Sequence, residues 1–345
     1  MQDMKEILKT LSCACGPSGK EDDMFDAITT VCKGINVEIK KDKMGSISIF
    51  RKGTKKGVVG LFAHLDEIGL IVTKIDGNYI RFAEVGGYDE KVLLSQEVLV
   101  YGDKPYYGIV GAKPPHLQSA GESSNMLEFK DLYIDIAMKE AEMRKHIKIG
   151  DRILIRSEFA ELKNNQVSTK AIDNRGSCAI LLGVLPIVER MKDNYDIYIV
   201  LNAQEETTMV GSKTSAHSIF PDVGIVLDVT FAKQPGVDFG LSLDEMGIGC
   251  GAHMNKKLFE FTKKLADKKG IKYQIEPLPS HSGTDTGAVQ IARNGIATIL
   301  LSLPIKNMHS PVETVSLDTM EKISAFTAEM ISELDISDFA ETIIK

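Results

Sequence analysis

The outer parts of the chain alternate between two hydrophobic patterns. Apolar runs of strand length lie at residues 57–69, 194–206, 222–230 and 295–305. Segments whose apolar residues recur at helical spacing lie at residues 21–35, 176–191, 255–270 and 318–334. Strands that alternate with helices in this way indicate an α/β sheet with helices packed against it.

The middle of the chain has a different pattern. Between about residues 68 and 160, short apolar runs are broken by glycine and turn residues, as in "GLIVTKIDGNYIRFAEVGG". That pattern is typical of a small β-barrel or sandwich, here with one short helix near residues 131–145. We therefore predict a β domain of residues 68–160, inserted into an α/β domain made of residues 1–67 and 161–345.

Side chains able to bind metals follow the strong apolar runs of the outer domain. These residues are His64 and Asp66, Glu205 and Glu206, Asp228, and His309. Asp173, in "STKAIDNRGSC", lies just before a predicted helix, where backbone N–H groups favour a carboxylate. Because sites in open α/β sheets form beyond the carboxyl ends of the strands, we expect these side chains to meet in one crevice.

The adjacent pair Glu205 and Glu206 indicates that this crevice holds a cation. Neighbouring carboxylates repel each other and are costly to bury without a partner. Two imidazoles and several carboxylates suit zinc, cobalt or manganese better than calcium. A bridging carboxylate could hold two such ions roughly 3.5–4 Å apart, as in two-metal hydrolases. One glutamate would then bind metal while the other acts as a base, and Asp66 could orient the ring of His64.

Composition narrows the choice of partners and compartment. The 345 residues carry a net charge of −7 and have no basic block, which argues against nucleic acid and anionic membranes as partners. No apolar stretch is long enough to span a bilayer. The five cysteines are odd in number and form no CxxC pair, so we expect reduced thiols in the cytoplasm. Structural roles are expected for the remaining histidines considered, which are His116, His146, His217 and His253.

A set of motifs in fixed order extends from residue 63 to residue 313. They are "AHLDEIG", "GAKPPHL", "KAIDNRGSC", "AQEET", "LDVTFAKQPG", "GTDTGAVQIARNGIAT" and "MHSPVE". In these motifs the chain resembles the dinuclear metallo-aminopeptidases of the tetrahedral aminopeptidase family, which also includes glutamyl and deblocking aminopeptidases. The resemblance implies a phosphorylase/hydrolase-like α/β sandwich with an inserted PDZ-like β-barrel. It also implies a homo-oligomer in which dimers assemble into a hollow dodecamer.

The resemblance further implies a role for each candidate residue. His64 and Asp228 would bind one divalent ion, Glu206 and His309 the other, and Asp173 would bridge them. Glu205 would be the general base, with Asp66 orienting His64. Zinc is the first expectation for both ions, with cobalt or manganese as alternatives. The chain departs from the family pattern at Thr207–Gly211, directly after the glutamate pair, and at His281.

The function expected from these residues is metal-dependent hydrolysis of the N-terminal bond of peptides. One alternative is an N-acyl amino acid deacylase or carboxypeptidase, for which Arg175 or Arg293 could bind the substrate carboxylate. A glucanase is a second alternative, disfavoured because tryptophan is absent and aromatic residues make up only 6% of the chain. A non-catalytic metal-binding scaffold is a third, disfavoured because Glu205 and all five candidate ligands are present.

Overall fold

The computed structural model describes residues 3–119, 127–191, 193–280 and 282–339, so His281 lies outside the described residues. The strands are β1 Glu38–Lys41, β2 Ile47–Arg51, β3 Val58–His64, β4 Gly69–Asp76, β5 Tyr79–Val85, β6 Glu97–Tyr101, β7 Pro105–Ala112, β8 Leu132–Asp135, β9 Arg152–Ile155, β10 Ala160–Leu162, β11 Gln166–Thr169, β12 Asp196–Asn202, β13 Val223–Phe231, β14 Met246–Gly251, β15 Tyr273–Leu278, β16 Ala297–Ile305 and β17 Glu313–Ser316. The helices are α1 Met4–Cys13, α2 Met24–Val31, α3 Glu90–Leu93, α4 Glu140–His146, α5 Ile172–Val188, α6 Glu205–Thr208, α7 Val210–Ile219, α8 Lys256–Lys269, α9 Thr286–Gln290 and α10 Leu317–Glu333, with short 3-10 helices at Pro115–Leu117, Phe129–Asp131 and Ile336–Phe339. Within these described ranges, every helix is too short or too polar to cross a membrane.

The larger core is built on an eight-stranded mixed sheet. Its strand order is β1-β2-β12-β3-β13-β16-β14-β15, and the central strands β12, β3, β13 and β16 are parallel. Helix α5 packs on β3 and β13 and against α1 and α10, while α7 packs on β3 and β12. Nearly every residue of α5 and β13 is buried, because both elements are covered on all sides.

The second core lies inside a closed barrel. Strands β4, β5, β8, β7, β6 and β9 close on one another in that order. Inward-facing residues such as Leu70, Val98, Val110, Ile134 and Ile153 fill the interior. After β9 the chain leaves the barrel, and β10 and β11 join β17 in a separate three-stranded sheet. This mixed α/β fold with a closed six-stranded barrel confirms the predicted fold class at that level of detail.

The structure refines four local predictions. Asp228 lies inside β13, not after it, because β16 continues the pairing as far as Phe231 and Ile305. Helix α5 begins at Ile172, so Asp173 lies within its irregular first turn and not before the helix. The glutamate pair begins the short helix α6 and does not follow directly on β12. The helix expected near residues 131–145 is confined to α4, because the preceding residues form β8 in the barrel.

Candidate metal centre

Asp66 connects the end of β3 to the glutamate pair. Its carboxylate oxygens accept hydrogen bonds from the backbone N–H groups of Glu205 and Glu206, at 3.0 and 3.2 Å. The Nδ1 atom of His64 lies 3.3 Å from the backbone oxygen of Asp66 and 3.4 Å from its carboxylate oxygen Oδ1. Asp66 is fully buried. One carboxylate therefore contacts the imidazole of His64 and also fixes the turn that presents both glutamates.

Asp173 lies between two groups of potential metal ligands. Its Oδ1 atom is 3.2 Å from His64 Nε2, and its Oδ2 atom is 3.2 Å from His309 Nε2. Ligand atoms of His64, Asp173 and Asp228 all lie within 4.8 Å of one another. The same is true of Asp173, Glu206 and His309. The structure thus brings the five candidate ligands into two groups that share one carboxylate.

The protein chain alone does not balance the charge of this centre. The pKa of Glu205 is raised to about 8, chiefly by burial and also by the carboxylates of Asp285, Asp66 and Asp173, against the opposing effect of His64. Burial, followed by nearby carboxylates, also raises the pKa values of Glu206 and Asp228 well above their usual range. Carboxylates this close and this buried cannot all ionise without a compensating cation.

The imidazoles supply only part of that compensation. Burial lowers the pKa of His64, but the Glu205 carboxylate and hydrogen bonds to Asp173 and Asp66 raise it well above its usual value overall. Hydrogen bonds from His309 and His64 hold the pKa of Asp173 below its usual range despite its burial. Because metals bind neutral imidazole and ionised carboxylate, a divalent ion here would displace these protons.

Glu206 shows most directly that the residues fit a metal. Its Oε2 atom lies 3.6 Å from His309 Nε2. Its Oε1 atom is buried and has no hydrogen-bond donor among the described residues. A buried carboxylate oxygen without a partner is costly, and a cation is the partner its surroundings suit. The oxygen and nitrogen donors together match borderline divalent ions.

Glu313 was not predicted from the sequence as a site residue, yet its carboxylate contacts both ligand groups. Its Oε2 atom accepts a hydrogen bond from Asp173 N at 3.0 Å, and its Oε1 atom accepts one from His309 N at 2.9 Å. His309 Nδ1 lies 2.9 Å from the carbonyl oxygen of Gly87, in the segment that follows β5 of the barrel. The signal in the sequence was the spacing in "MHSPVE", where the glutamate follows His309 by four residues.

We expect Glu313→Gln to weaken metal binding while the fold survives. An amide offers one acceptor oxygen where the carboxylate offers two, so an N–H group of Asp173 or His309 would lose its acceptor. Changes to residues that orient metal ligands cost about 10- to 100-fold in metal affinity. Zinc titration of the stripped protein checks this, with Glu97→Gln on the exposed barrel surface as the control. Unchanged zinc affinity in Glu313→Gln would contradict the positioning role.

The arginines expected for a carboxylate-binding site have other partners. Arg175 is fully buried and donates to the backbone oxygens of Leu65, Leu11, Ala14 and Gly16. Arg293 donates to the backbone oxygen of His217 and stacks on Phe220. The cavity at the metal centre has no lysine or arginine among its described lining residues. Neither of the two arginines named for the deacylase alternative is among those lining residues.

The other histidines considered lie away from the two ligand groups. His146 pairs with Asp103 and Glu142 on the barrel, at 2.8 and 3.0 Å. The Nε2 atom of His253 lies 2.7 Å from the backbone oxygen of Ser280. His116 lies in a 3-10 helix and His217 in α7. Structural roles for these four histidines stay a prediction.

Comparison with known proteins gives consistent matches over nearly the whole chain. Residues 45–326 match the M42 glutamyl aminopeptidase family. A lysyl aminopeptidase of Pyrococcus furiosus is 33% identical over 347 residues, which cover 97% of this chain and 98% of that protein. A TET aminopeptidase from a marine sediment Thaumarchaeota archaeon has a TM-score of 0.92 at 29% identity, covering 98% of this chain and 99% of that one. The TET1 peptidase of Pyrococcus horikoshii, described as assembling into a tetrahedron or a large octahedral shell, has a TM-score of 0.84 at 28% identity, covering 96% of this chain and 100% of that one.

Proposed function

The chain belongs to the M42 glutamyl aminopeptidase family and is an aminopeptidase, and from that premise we propose that it works with two divalent ions per subunit. His64 and Asp228 would hold one ion, Glu206 and His309 the other, and Asp173 would bridge them. The observation that carries this proposal is the single carboxylate of Asp173, 3.2 Å from the Nε2 atoms of both histidines. Zinc is the ion we propose first, with cobalt and manganese as alternatives.

When bound, such ions would polarise the scissile carbonyl and lower the pKa of the attacking water. Glu205 is the residue of this chain that we propose moves the proton. Its Oε2 atom lies 3.7 Å from His64 Nε2, and the residue lines the cavity. Burial raises the pKa of Glu205, nearby cations would lower it again, and a general base works best when its pKa lies near the working pH. A carboxylate oxygen of Glu205 would take the proton from water and pass it to the amine nitrogen as the C–N bond breaks.

Asp66 and Glu313 would act on other residues and not on the substrate. Asp66 would hold the backbone that presents Glu205 and would contact the ring of His64. Glu313 would fix the backbones of Asp173 and His309. In both cases a buried carboxylate accepts hydrogen bonds from backbone N–H groups near ligands, which restricts the ligand positions before any ion binds.

We propose residues 1–67 and 161–345 as the catalytic domain, and residues 68–160 as an inserted PDZ-like domain that supports oligomers and controls access to the site. Two observations support the proposal. Gly87, which lies beside the barrel, contacts His309, and Tyr107 and Ile109 on β7 leave apolar side chains exposed. A dimer-based homo-oligomer, up to a dodecamer, would cover such residues. A cytoplasmic location stays a prediction that rests on the five free cysteines.

Metal removal tests the proposed function directly. We expect the chelator-stripped enzyme to release no N-terminal residue from unblocked peptides, because Glu205 alone cannot activate water sufficiently. Adding zinc, cobalt or manganese should restore release, and the same peptides with an acetylated N-terminus serve as controls. Release only from acetylated substrates would favour the deacylase alternative. Full activity in stripped enzyme with no detectable metal would overturn the two-ion proposal.

A further inference from the structure

The cavity at the metal centre contains a carboxylate for which the proposed reaction has no use. The cavity has a volume of about 610 Å³, and its lining includes Glu276 as well as the metal-ligand candidates. Most of the remaining lining is apolar, comprising Val229, Phe231, Phe239, Leu241, Leu278, Leu300 and Met308. A carboxylate on an otherwise apolar wall is a typical specificity group in a small-molecule site.

Glu276 is held in place by two hydroxyl groups from other strands. It lies on β15, at the edge of the sheet, and its carboxylate accepts hydrogen bonds from Thr230 on β13 and Ser302 on β16. Gly249 on β14 is paired with Glu276, and its lack of a side chain matters here because a Cβ would lie only 2.9 Å from the Cβ of Leu300. The carboxylate reaches across β14 to the hydroxyl group of Ser302 and lines the cavity.

The same carboxylate keeps the capacity to bind a substrate. An ionised carboxylate has about four lone-pair sites, and the two hydroxyl groups use only two of them. No lysine or arginine within the described ranges forms an ion pair with Glu276. A cation supplied by a substrate would therefore meet a carboxylate that is fixed in position and not already neutralised.

The position of Glu276 suits the side chain of the substrate's first residue. Its partner Thr230 follows Asp228 by two residues on β13, so both side chains point to the same face, about 7 Å apart along the strand. A peptide whose first carbonyl lies at the ligand groups would direct its N-terminal side chain along this wall. The four-carbon stem of lysine would pack on the apolar lining, and its ammonium would reach the carboxylate.

We propose that Glu276 makes this aminopeptidase prefer peptides that begin with a basic residue, lysine or arginine. The inference rests on the proposed function, because it places the N-terminal residue at the ligand groups. The acidic wall would also repel peptides that begin with glutamate or aspartate. A charge-assisted hydrogen bond of about 1.5–3 kcal/mol corresponds to a preference of about 10- to 100-fold.

The test compares kcat/KM for dipeptides that differ only in their first residue. Lysyl-alanine and norleucyl-alanine share the apolar stem and differ in the ammonium group. The zinc-loaded wild-type enzyme should prefer lysyl-alanine by about 10- to 100-fold. In Glu276→Gln that ratio should fall towards one through loss of activity on lysyl-alanine, with norleucyl-alanine little changed. Glutamine keeps the shape of the side chain and can still accept a hydrogen bond from a hydroxyl group.

The control is Glu260→Gln on α8, where the side chain is 47% exposed and one negative charge is lost away from the cavity. It should keep the wild-type ratio. Equal losses on both dipeptides in Glu276→Gln would mean that Glu276 binds the α-amine, which would overturn the specificity proposal. A wild-type ratio near one, or an unchanged ratio in the variant, would overturn it as well. Each of these outcomes leaves aminopeptidase activity intact, whereas failure to cleave either dipeptide would count against the proposed function itself.

Discussion

Glu205→Gln is expected to lower kcat by about 10²- to 10⁴-fold, the range found for the loss of a general base, while the protein keeps its metal. Glutamine has nearly the same shape but cannot take a proton from water at neutral pH. The ligand groups do not need Glu205, because each already has one histidine and two carboxylates. Backbone hydrogen bonds to Asp66 would keep the residue in place. Steady-state kinetics together with elemental analysis of the same preparation measures both quantities.

Glu206→Gln is the matched control, since it makes the same chemical change one residue away. Glu206 belongs to the ligand group with Asp173 and His309, so this variant should lose metal as well as activity. The two variants separate proton transfer from metal binding only if their metal contents differ. Wild-type turnover in metal-loaded Glu205→Gln would remove Glu205 from the proposed mechanism. Equal metal loss in both variants would mean that Glu205 is a ligand.

The sequence predicted that these candidate side chains meet because their positions follow the topology of the sheet. His64 ends β3, Glu205 comes shortly after β12, and His309 comes shortly after β16. The crevice beyond the strand ends of a parallel sheet collects such residues whatever their separation in sequence. Asp228 lies inside its strand and still reaches the crevice, because β13 extends past its neighbour β3. The predicted strand ends therefore locate the crevice correctly, even where the observed strand continues beyond its predicted end.

The residues that the sequence did not reveal act through contacts that leave no periodic pattern. Glu313 begins β17 and binds backbone N–H groups of Asp173 and His309, which are remote from each other in sequence. Glu276 lies on an edge strand and depends on hydroxyl groups from two other strands. Neither follows a long apolar run, and neither is paired with another carboxylate. Only the folded arrangement shows that their partners converge.

Asp173→Asn should have the largest effect on metal content, because one carboxylate serves both ligand groups. Asparagine keeps the shape of the side chain but replaces one carboxylate oxygen by an NH₂ group, which cannot bind a cation. We expect the metal content to fall from the proposed two ions to fewer than one per chain, with a large loss of kcat/KM. The backbone N–H of residue 173 would still donate to Glu313, so the fold should persist.

Variants of residues that belong to only one ligand group show whether the Asp173 carboxylate is shared by both groups. Asp228→Asn and Glu206→Gln each change a residue that belongs to a single ligand group, so each should lose one ion and keep the other. Thermal unfolding with and without added zinc gives an independent measure, because a ligand that binds only the folded state raises the melting temperature according to its affinity. Asp173→Asn should lose that zinc-dependent rise, and the single-group variants should keep part of it. If Asp173→Asn retained one tightly bound ion, Asp173 would serve one group only, and the two-ion centre would have to be bridged by another group.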